Sequence, residues 1–306
     1  MIRVVGTVVM DLISRAAHLP LPGETVVGSS SLRLRVGGKG LNQAVQAAKA
    51  LRVIGETETA GIVGFEGCIG DDAFGRAALK ELESAGVRHS LAVSDKYGTG
   101  TGSIHCREAD GENCIVVSPG ANLEAERRLR FNDSPFVNAD IIVGQLELPL
   151  MATLRVFQSA KPGALRILNV APIPFERTKV LSDILALSDI IVANKGEAEV
   201  LGLYDPQTRA IHRDLARVQA IVVTLGKHGA RVLLPGDSAR VIEVPPTKDV
   251  AVDAIGAGDC FTGYLAAHLL SKNATLEKCV VEANAAAGKY VSQVKQEWSL
   301  REASLG

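Results

Sequence analysis

The chain has 306 residues, 47% hydrophobic and 22% charged, close to the globular mean, which argues against disorder or a fibrous structure. Thirty-three Lys and Arg stand against 34 Asp and Glu, and the formal net charge of -1 gives no global electrostatic reason to bind nucleic acid or an anionic membrane. No apolar run reaches the ~18 residues of a membrane span, and Met1-Ile2-Arg3-Val4-Val5-Gly6 reads as a strand, not a basic leader. The five cysteines are odd in number and lack Cys-x-x-Cys spacing, so the expectation is buried, reduced thiols in a cytoplasm, with no disulfide framework or structural zinc.

In chain order, the apolar run Val4–Val9 predicts a buried strand. Ser31–Val36 alternates with period two and predicts a strand with one wet face. Leu41, Ala44, Val45, Ala48 and Leu51 then fall on one helical face. Phe74, Ala78, Leu82 and Ala85 do the same behind a cap at Asp71 or Asp72. Thr101–Cys106 and Asn113–Val117 flank the turn Ala109-Asp110-Gly111 and predict a hairpin. Asp140–Val143, Arg166–Val170, Ile190–Ala193 and Ala220–Leu225 are further continuous apolar strands. Arg231–Leu234 and Arg240–Val244 predict a pair at the edge of the main sheet, and Phe261, Leu265 and Leu269 share the apolar face of a helix. Strands alternating with helices predict an α/β, three-layer core. The half-wet stretches predict an inserted antiparallel sheet that serves as a lid or dimer surface.

Three segments carry chemistry. Asp253-Ala254-Ile255-Gly256-Ala257-Gly258-Asp259 opens a helix. Gly256 and Gly258 let backbone approach a ligand, and the free N–H groups of a helix start suit an anion. Asp259, in the first turn, suits a base that takes a proton from an attacking hydroxyl. A Gly-rich turn with Asp as a cap accounts for the same string. Gly37-Gly38-Lys39-Gly40-Leu41-Asn42-Gln43 also precedes a helix; Asn42 offers a donor and an acceptor for sugar hydroxyls, and the Walker A spacing is absent. Asn194-Lys195-Gly196-Glu197 ends a strand, where oxygen ligands suit hydrated Mg2+, or else where Asn194 and Glu197 cap a helix. No Gly-x-Gly-x-x-Gly follows the first strand, which speaks against a dinucleotide-binding dehydrogenase.

Taken together and in order, these segments resemble the ribokinase-like (phosphofructokinase-B-type) carbohydrate kinases. The resemblance runs through Gly6-Thr7 with Asp11, Pro22-Gly23-Glu24-Thr25, Gly37 to Ala44, Gly70-Asp71-Asp72, Gln145-Leu146-Glu147, Asn194 with Glu197, Thr224-Leu225-Gly226 and Gly256 to Asp259. It implies a core from residues 1–13, 37–99 and 120–306 and a β-lid from 14–36 and 100–119, often a dimer surface. It implies transfer of the ATP γ-phosphoryl group to a sugar hydroxymethyl, with the 5-hydroxyl of D-ribose as the first expectation. Asp259 would be the base, with Gly256, Ala257 and Gly258 forming the anion hole. Asp11, Gly38, Lys39, Asn42 and Glu147 would contact sugar. Thr224, Gly226, Gly229, Gly258 and Asn284, with Asn194, would shape the nucleotide site. Asn194 and Glu197 would organise Mg2+ through water, and Asp253, the Ile255 carbonyl and Ser299 resemble a K+ site. Other sugars or nucleosides, and a catalytically silent regulator, are the rival expectations.

The sequence departs from that pattern in places. Val9 stands where Asn is usual two residues before the sugar-binding Asp, Ala254 where Thr is common, and Lys295 where Gly is usual; Ile54–Ile62 is extra. The six histidines lack metal spacing, though His228 lies near the expected nucleotide loop. Arg127, Arg128 and Arg130 predict a solvated helix face and Trp298 a packing residue.

Overall fold

The computed structural model describes residues 1–55, 61–204, 215, 217–235, 240–247, 256–271 and 274–303, with side chains described up to residue 292. Its elements begin β1 (Ile2–Val5), β2 (Val9–Ala16), β3 (Arg33–Gly37), α1 (Lys39–Ile54), β4 (Val63–Gly70), α2 (Ala73–Ser84), β5 (Arg88–Ser94), β6 (Gly100–Arg107) and β7 (Asn113–Ser118). There follow α3 (Ala125–Arg128), β8 (Ile141–Gln145), α4 (Leu150–Gln158), β9 (Leu165–Asn169), α5 (Lys179–Leu187), β10 (Ile190–Asn194) and α6 (Lys195–Leu201). The chain closes with β11 (Ala220–Thr224), β12 (Ala230–Leu234), β13 (Arg240–Val244), α7 (Ala257–Leu269) and α8 (Leu276–Ala303).

A nine-stranded sheet runs β13-β12-β11-β10-β9-β8-β1-β4-β5. Its strands are parallel except for the antiparallel β11–β12–β13 edge. Helices cover both faces. Leu41, Ala48, Ala78, Leu265 and Val280 pack on one side with Val4, Phe65 and Val143. Ala152, Phe157, Ile184 and Ala198 pack on the other with Val5, Ile142 and Leu168. This is the expected three-layer α/β core. Asp72 caps α2, accepting from the Gly75 N–H at 2.8 Å, while Asp71 stays outside.

Three expectations are corrected. The run Val4–Val9 is two strands: β1 lies in the large sheet and β2 in a second sheet ordered β3-β2-β6-β7. Hydrophobicity hides the change because Val8 and Val9 are as buried as Val5. The chain turns at Gly6, where a Cβ would lie 2.6 Å from the Gly40 Cα. The second sheet is mixed, not antiparallel: β2 runs parallel to β6 and antiparallel to β3, and β6–β7 is the expected hairpin. Period-two patterning reports faces and carries no strand direction. This sheet also begins at Val9, so Val9–Ile13 pair within it. Among the thiols, Cys114 on β7 is exposed while the other four are buried, and all five are free.

The strands β4 and β5 went unread in the sequence. β4, Val-Gly-Phe-Glu-Gly-Cys-Ile-Gly, is buried throughout, and its charged Glu66 is held by Arg3 Nε at 2.5 Å inside the core. Arg127 and Arg128 are not a free basic face: both pair with Glu124, and Arg128 also with Asp95. Arg130 lies past the end of α3.

The second sheet is mounted on the core at one buried side chain. Asn122 Oδ1 accepts from the Val8 N–H (3.1 Å), and its Nδ2 donates to the carbonyls of Val8 and Pro119 (2.8 Å each). The chain crosses between core and sheet four times, before β2, after β3, before β6 and after β7, and this one side chain ties the first crossing, at Val8, to the last, at Pro119.

Candidate active site

Gly6, Gln145, Asn169, Asn194 and Thr224 stand at the carboxyl ends of β1, β8, β9, β10 and β11, the edge where open α/β sheets bind ligands. Two helix starts and the second sheet meet there.

The first helix start is that of α1. Gly38 caps it with φ +96°, and a Cβ there would lie 2.5 Å from the Thr7 carbonyl oxygen. The Lys39 N–H donates to Glu147 Oε2 at 2.9 Å, and the Thr7 hydroxyl donates to the same oxygen. Glu147 therefore braces this loop through Oε2. Burial raises its pKa, against the lowering by the Thr7 hydroxyl and the Lys39 charge.

The second is that of α7. Gly256, in a left-handed conformation (φ +83°), precedes it. The N–H groups of Ala257, Gly258 and Asp259 come before the first helical bond, from Cys260 N–H to the Gly256 carbonyl (2.9 Å). Among the described residues these N–H groups have no hydrogen-bond acceptor, as the first donors of a helix lack one within it. A Cβ at Gly258 would meet nothing within 4 Å, so its backbone faces open space. Asp259 is 6% exposed. Its Oδ2 accepts from Asn42 Nδ2 at 3.2 Å and its Oδ1 from Gln43 Nε2 at 3.0 Å. Asp259 and Asn42 are thus brought together from opposite ends of the sequence. α1 crosses α7 so closely that a Cβ at Gly263 would lie 2.6 Å from the Gln43 carbonyl oxygen.

Asp11 comes from the second sheet. It sits across from Arg35 in the β2–β3 register, and Arg35 Nη2 donates to its Oδ2 at 3.1 Å. Burial raises the Asp11 pKa; Arg35 opposes the rise and the charge of Asp259 adds to it.

A cavity beside α7 is lined by Thr224, Gly226, Gly229, Ala257, Gly258 and Asn284, together with Lys227, Thr247 and Phe261. It gathers every residue expected at the nucleotide except Asn194. Asn284 is turned by its Nδ2, which donates to the Pro245 carbonyl (3.0 Å). Asn194 lines the adjoining cavity with Lys195 and His228, and the two cavities share Thr224 and Gly226.

Asn194 and Glu197 form a capping box. Asn194 Oδ1 accepts from the Glu197 N–H (2.8 Å), and Glu197 Oε2 from the Asn194 N–H (2.7 Å). Glu197 Oε1 is not used by the cap. Burial raises the Glu197 pKa, and the Lys39 charge lowers it. Among the described residues, no group of three or more His, Cys, Asp or Glu is gathered to hold a metal directly. Asp253, Ile255 and the side chain of Ser299 lie outside the described residues, as do the side chains of Lys295 and Trp298 and most of Ile54–Ile62.

The sequence motifs contain Thr7, Gln43 and Gln145 without assigning them a role, and Arg35 and Asn169 are site residues they do not mark. The signals were present. Gln43 is a polar residue on a helix whose neighbours Leu41, Ala44 and Val45 are all buried, and Asn169 follows the buried apolar pair Ile167-Leu168 at the end of its strand.

Residues 1–300 match the family described as "pfkB family carbohydrate kinase". The chain is 33% identical over 293 residues to the ribokinase of Mus musculus (92% of this chain, 85% of that one). It is 31% identical over 283 residues to the ribokinase of Haemophilus influenzae (89% and 86%). Among solved structures, ribokinase from Giardia lamblia superposes with a TM-score of 0.80 at 26% identity, covering 95% of this chain and 92% of the other. Arabidopsis thaliana ribokinase complexed with ribose and ATP gives 0.77 at 27% (95% and 92%). The family match and the relatives make this protein a kinase, a phosphotransferase. The chain belongs to the pfkB family of carbohydrate kinases.

Proposed function

We propose that the enzyme transfers the γ-phosphoryl group of ATP to the 5-hydroxyl of D-ribose, giving D-ribose 5-phosphate. The observation that carries this reading is the position of Asp259: a buried carboxylate in the first turn of α7, beside free N–H donors, with Asn42 of the other helix start on its Oδ2.

As the acceptor oxygen attacks phosphorus, its proton passes to Asp259 and the bond to ADP breaks. The N–H groups of Ala257 and Gly258 face the charge that builds on the transferring group. Asp11, Gly38, Lys39, Asn42 and Glu147 surround the sugar. Asp11 Oδ1 and Glu147 Oε1 are the oxygens left to accept sugar hydroxyls, since Arg35 and the Thr7–Lys39 loop hold the others. Thr224, Gly226, Gly229 and Asn284 line the nucleotide cavity. Mg2+ bound by the phosphates would offset their charge. A donor set with one unused carboxylate oxygen, Glu197 Oε1, fits a hydrated ion reached through water.

Residues 9–37 and 100–118, which carry the second sheet, act as the lid. Exposed Leu34, Ile115, Val116 and Val117 support a homodimer through it, which sedimentation of the purified protein tests. The free cysteines fit a reducing cytoplasm, and no helix among the described residues is long and apolar enough to cross a membrane.

The test is ADP release with MgATP, K+ and a sugar panel headed by D-ribose, beside Asp259→Ala. The expected result is ribose-dependent turnover that the substitution abolishes while ATP binding remains. A second reading, another sugar or a nucleoside on the same machinery, is favoured by Val9. Its buried apolar side chain sits two residues before Asp11 on the same strand face. Turnover of deoxyribose, fructose or a nucleoside in preference to ribose would select it.

A further inference from the structure

Behind the base lies a chain of buried amides that the reaction as described does not use. Gln43, Gln145 and Asn169 are 0%, 1% and 6% exposed. Gln145 Nε2 donates to Gln43 Oε1 at 2.7 Å. Gln43 Nε2 donates to Asp259 Oδ1 at 3.0 Å and to Asn169 Oδ1 at 3.2 Å. Asn169 Nδ2 donates in turn to the Val192 carbonyl at 3.3 Å. Both Gln43 amide hydrogens and its oxygen are thereby engaged.

The direction of this chain is forced. Turning the Gln43 amide over would set its oxygen against the Asp259 carboxylate and the Asn169 oxygen, and its NH2 against that of Gln145. The Val192 carbonyl, which can only accept, fixes Asn169 in the same sense. The chain ends at Gln145 Oε1, which is buried with no partner beside Gly6, where a Cβ would lie 2.1 Å from it. The main chain is fixed as well: Gly263, one turn beyond Asp259 on α7, admits the Gln43 carbonyl where a side chain would otherwise be.

We propose that Gln43 is a positioning residue of the phosphoryl transfer: it holds Oδ1 of Asp259 so that Oδ2, the oxygen facing Asn42, is the one presented to the acceptor hydroxyl. This rests on the reading of Asp259 as base. A neutral amide suits the task. It orients the carboxylate through one hydrogen bond and sets no charge against it. When the acceptor O–H bond breaks, its proton goes to Oδ2, and Oδ1 stays on Gln43.

The experiment is NMR of carboxyl-13C aspartate in full-length wild type, Gln43→Leu and Gln145→Leu, with Asp259→Asn to assign the resonance. It needs no sugar, so it is decided even if no acceptor is turned over. Losing the donor should move the Asp259 carboxyl resonance in Gln43→Leu. Gln145→Leu, which only frees the Gln43 amide to turn, should move it less and in the same direction. With the sugar the wild type phosphorylates, Gln43→Leu should lower kcat roughly 10–100-fold, while KM for ATP is unchanged. The double substitution should be no worse than Gln43→Leu. An unmoved Asp259 resonance in Gln43→Leu, or wild-type kcat, overturns the proposal. If circular dichroism shows Gln43→Leu unfolded, an unmoved resonance in Gln145→Leu overturns it equally. A wild type that turns over no sugar would count against the proposed function alone.

Discussion

The two sheets meet the same ligand site under different physical terms. The nine-stranded sheet is covered on both faces, and the helix starts it supports hold Asp259, Asn42 and Glu147 through buried contacts. The four-stranded sheet has a small apolar cluster, Ile13, Ile104 and Cys106, and its last strand, β7, is exposed along its whole length. It nevertheless supplies Asp11 and Arg35. On the proposed reading, the base and most of the sugar contacts stand on the tightly packed part of the molecule, and the least packed part adds Asp11. Precise placement matters more for a group that moves a proton than for one that accepts a hydroxyl.

Substitutions can strain that contrast. The largest effect is expected for Asp259→Ala, with kcat falling about 10²–10⁴-fold or more, as for loss of a general base, and nucleotide affinity preserved in calorimetry. Gly263→Ala comes next. Its methyl would overlap the Gln43 carbonyl, and overpacking of this kind costs about 1–3 kcal/mol. Lower thermal stability and lower kcat should appear together, because the crossing of α1 and α7 sets the base. Asn122→Ala should divide the two regions: a loss of roughly 1–3 kcal/mol from unpaired backbone groups, with weaker sugar binding but kcat at saturating sugar near wild type. A fall in kcat as large as that of Gly263→Ala would break the comparison.

The smallest effect is expected for Arg35→Ala. Asp11 already has its pKa raised by burial, and Arg35 is what lowers it. Without Arg35 the pKa rises further, so the ionised carboxylate is lost at a higher pH as acid is added. KM for sugar should therefore begin to climb at a higher pH than in wild type, read from initial rates across pH. Identical pH profiles would mean that Asp11 does not accept from the sugar in its ionised form.

How far the sequence could be read follows the same divide. The starts of α1 and α7 were legible because glycine, a polar residue and a helical apolar face occur together there. The strands β8 to β11 were legible as continuous apolar runs. β4 was not, because three glycines and Glu66 interrupt its pattern, and the glycines are needed for close contacts such as Gly64 on Phe136 and Gly70 on Gly98. The parallel pairing of β2 with β6 joins strands far apart in the chain, and nothing local encodes it. Asn194 and Glu197 show a different limit. One spacing serves both a metal site and a capping box, and only coordinates reveal that most of its bonding capacity goes to the cap. The amides behind Asp259 were visible as polar residues in apolar company, but their mutual hydrogen bonds depend on tertiary packing.

The mount at Asn122 has a consequence for engineering. Where the chain first enters the second sheet and where it last leaves are joined by bonds from one side chain to backbone atoms, and these bonds are indifferent to the side chains carried by the strands beyond. The sheet is in that sense an exchangeable part. Residues 9–37 and 100–118 can be recoded as a cassette to select new acceptors, with Asn122 and the glycines at its border retained, while the phosphorylating apparatus behind it is carried forward unaltered.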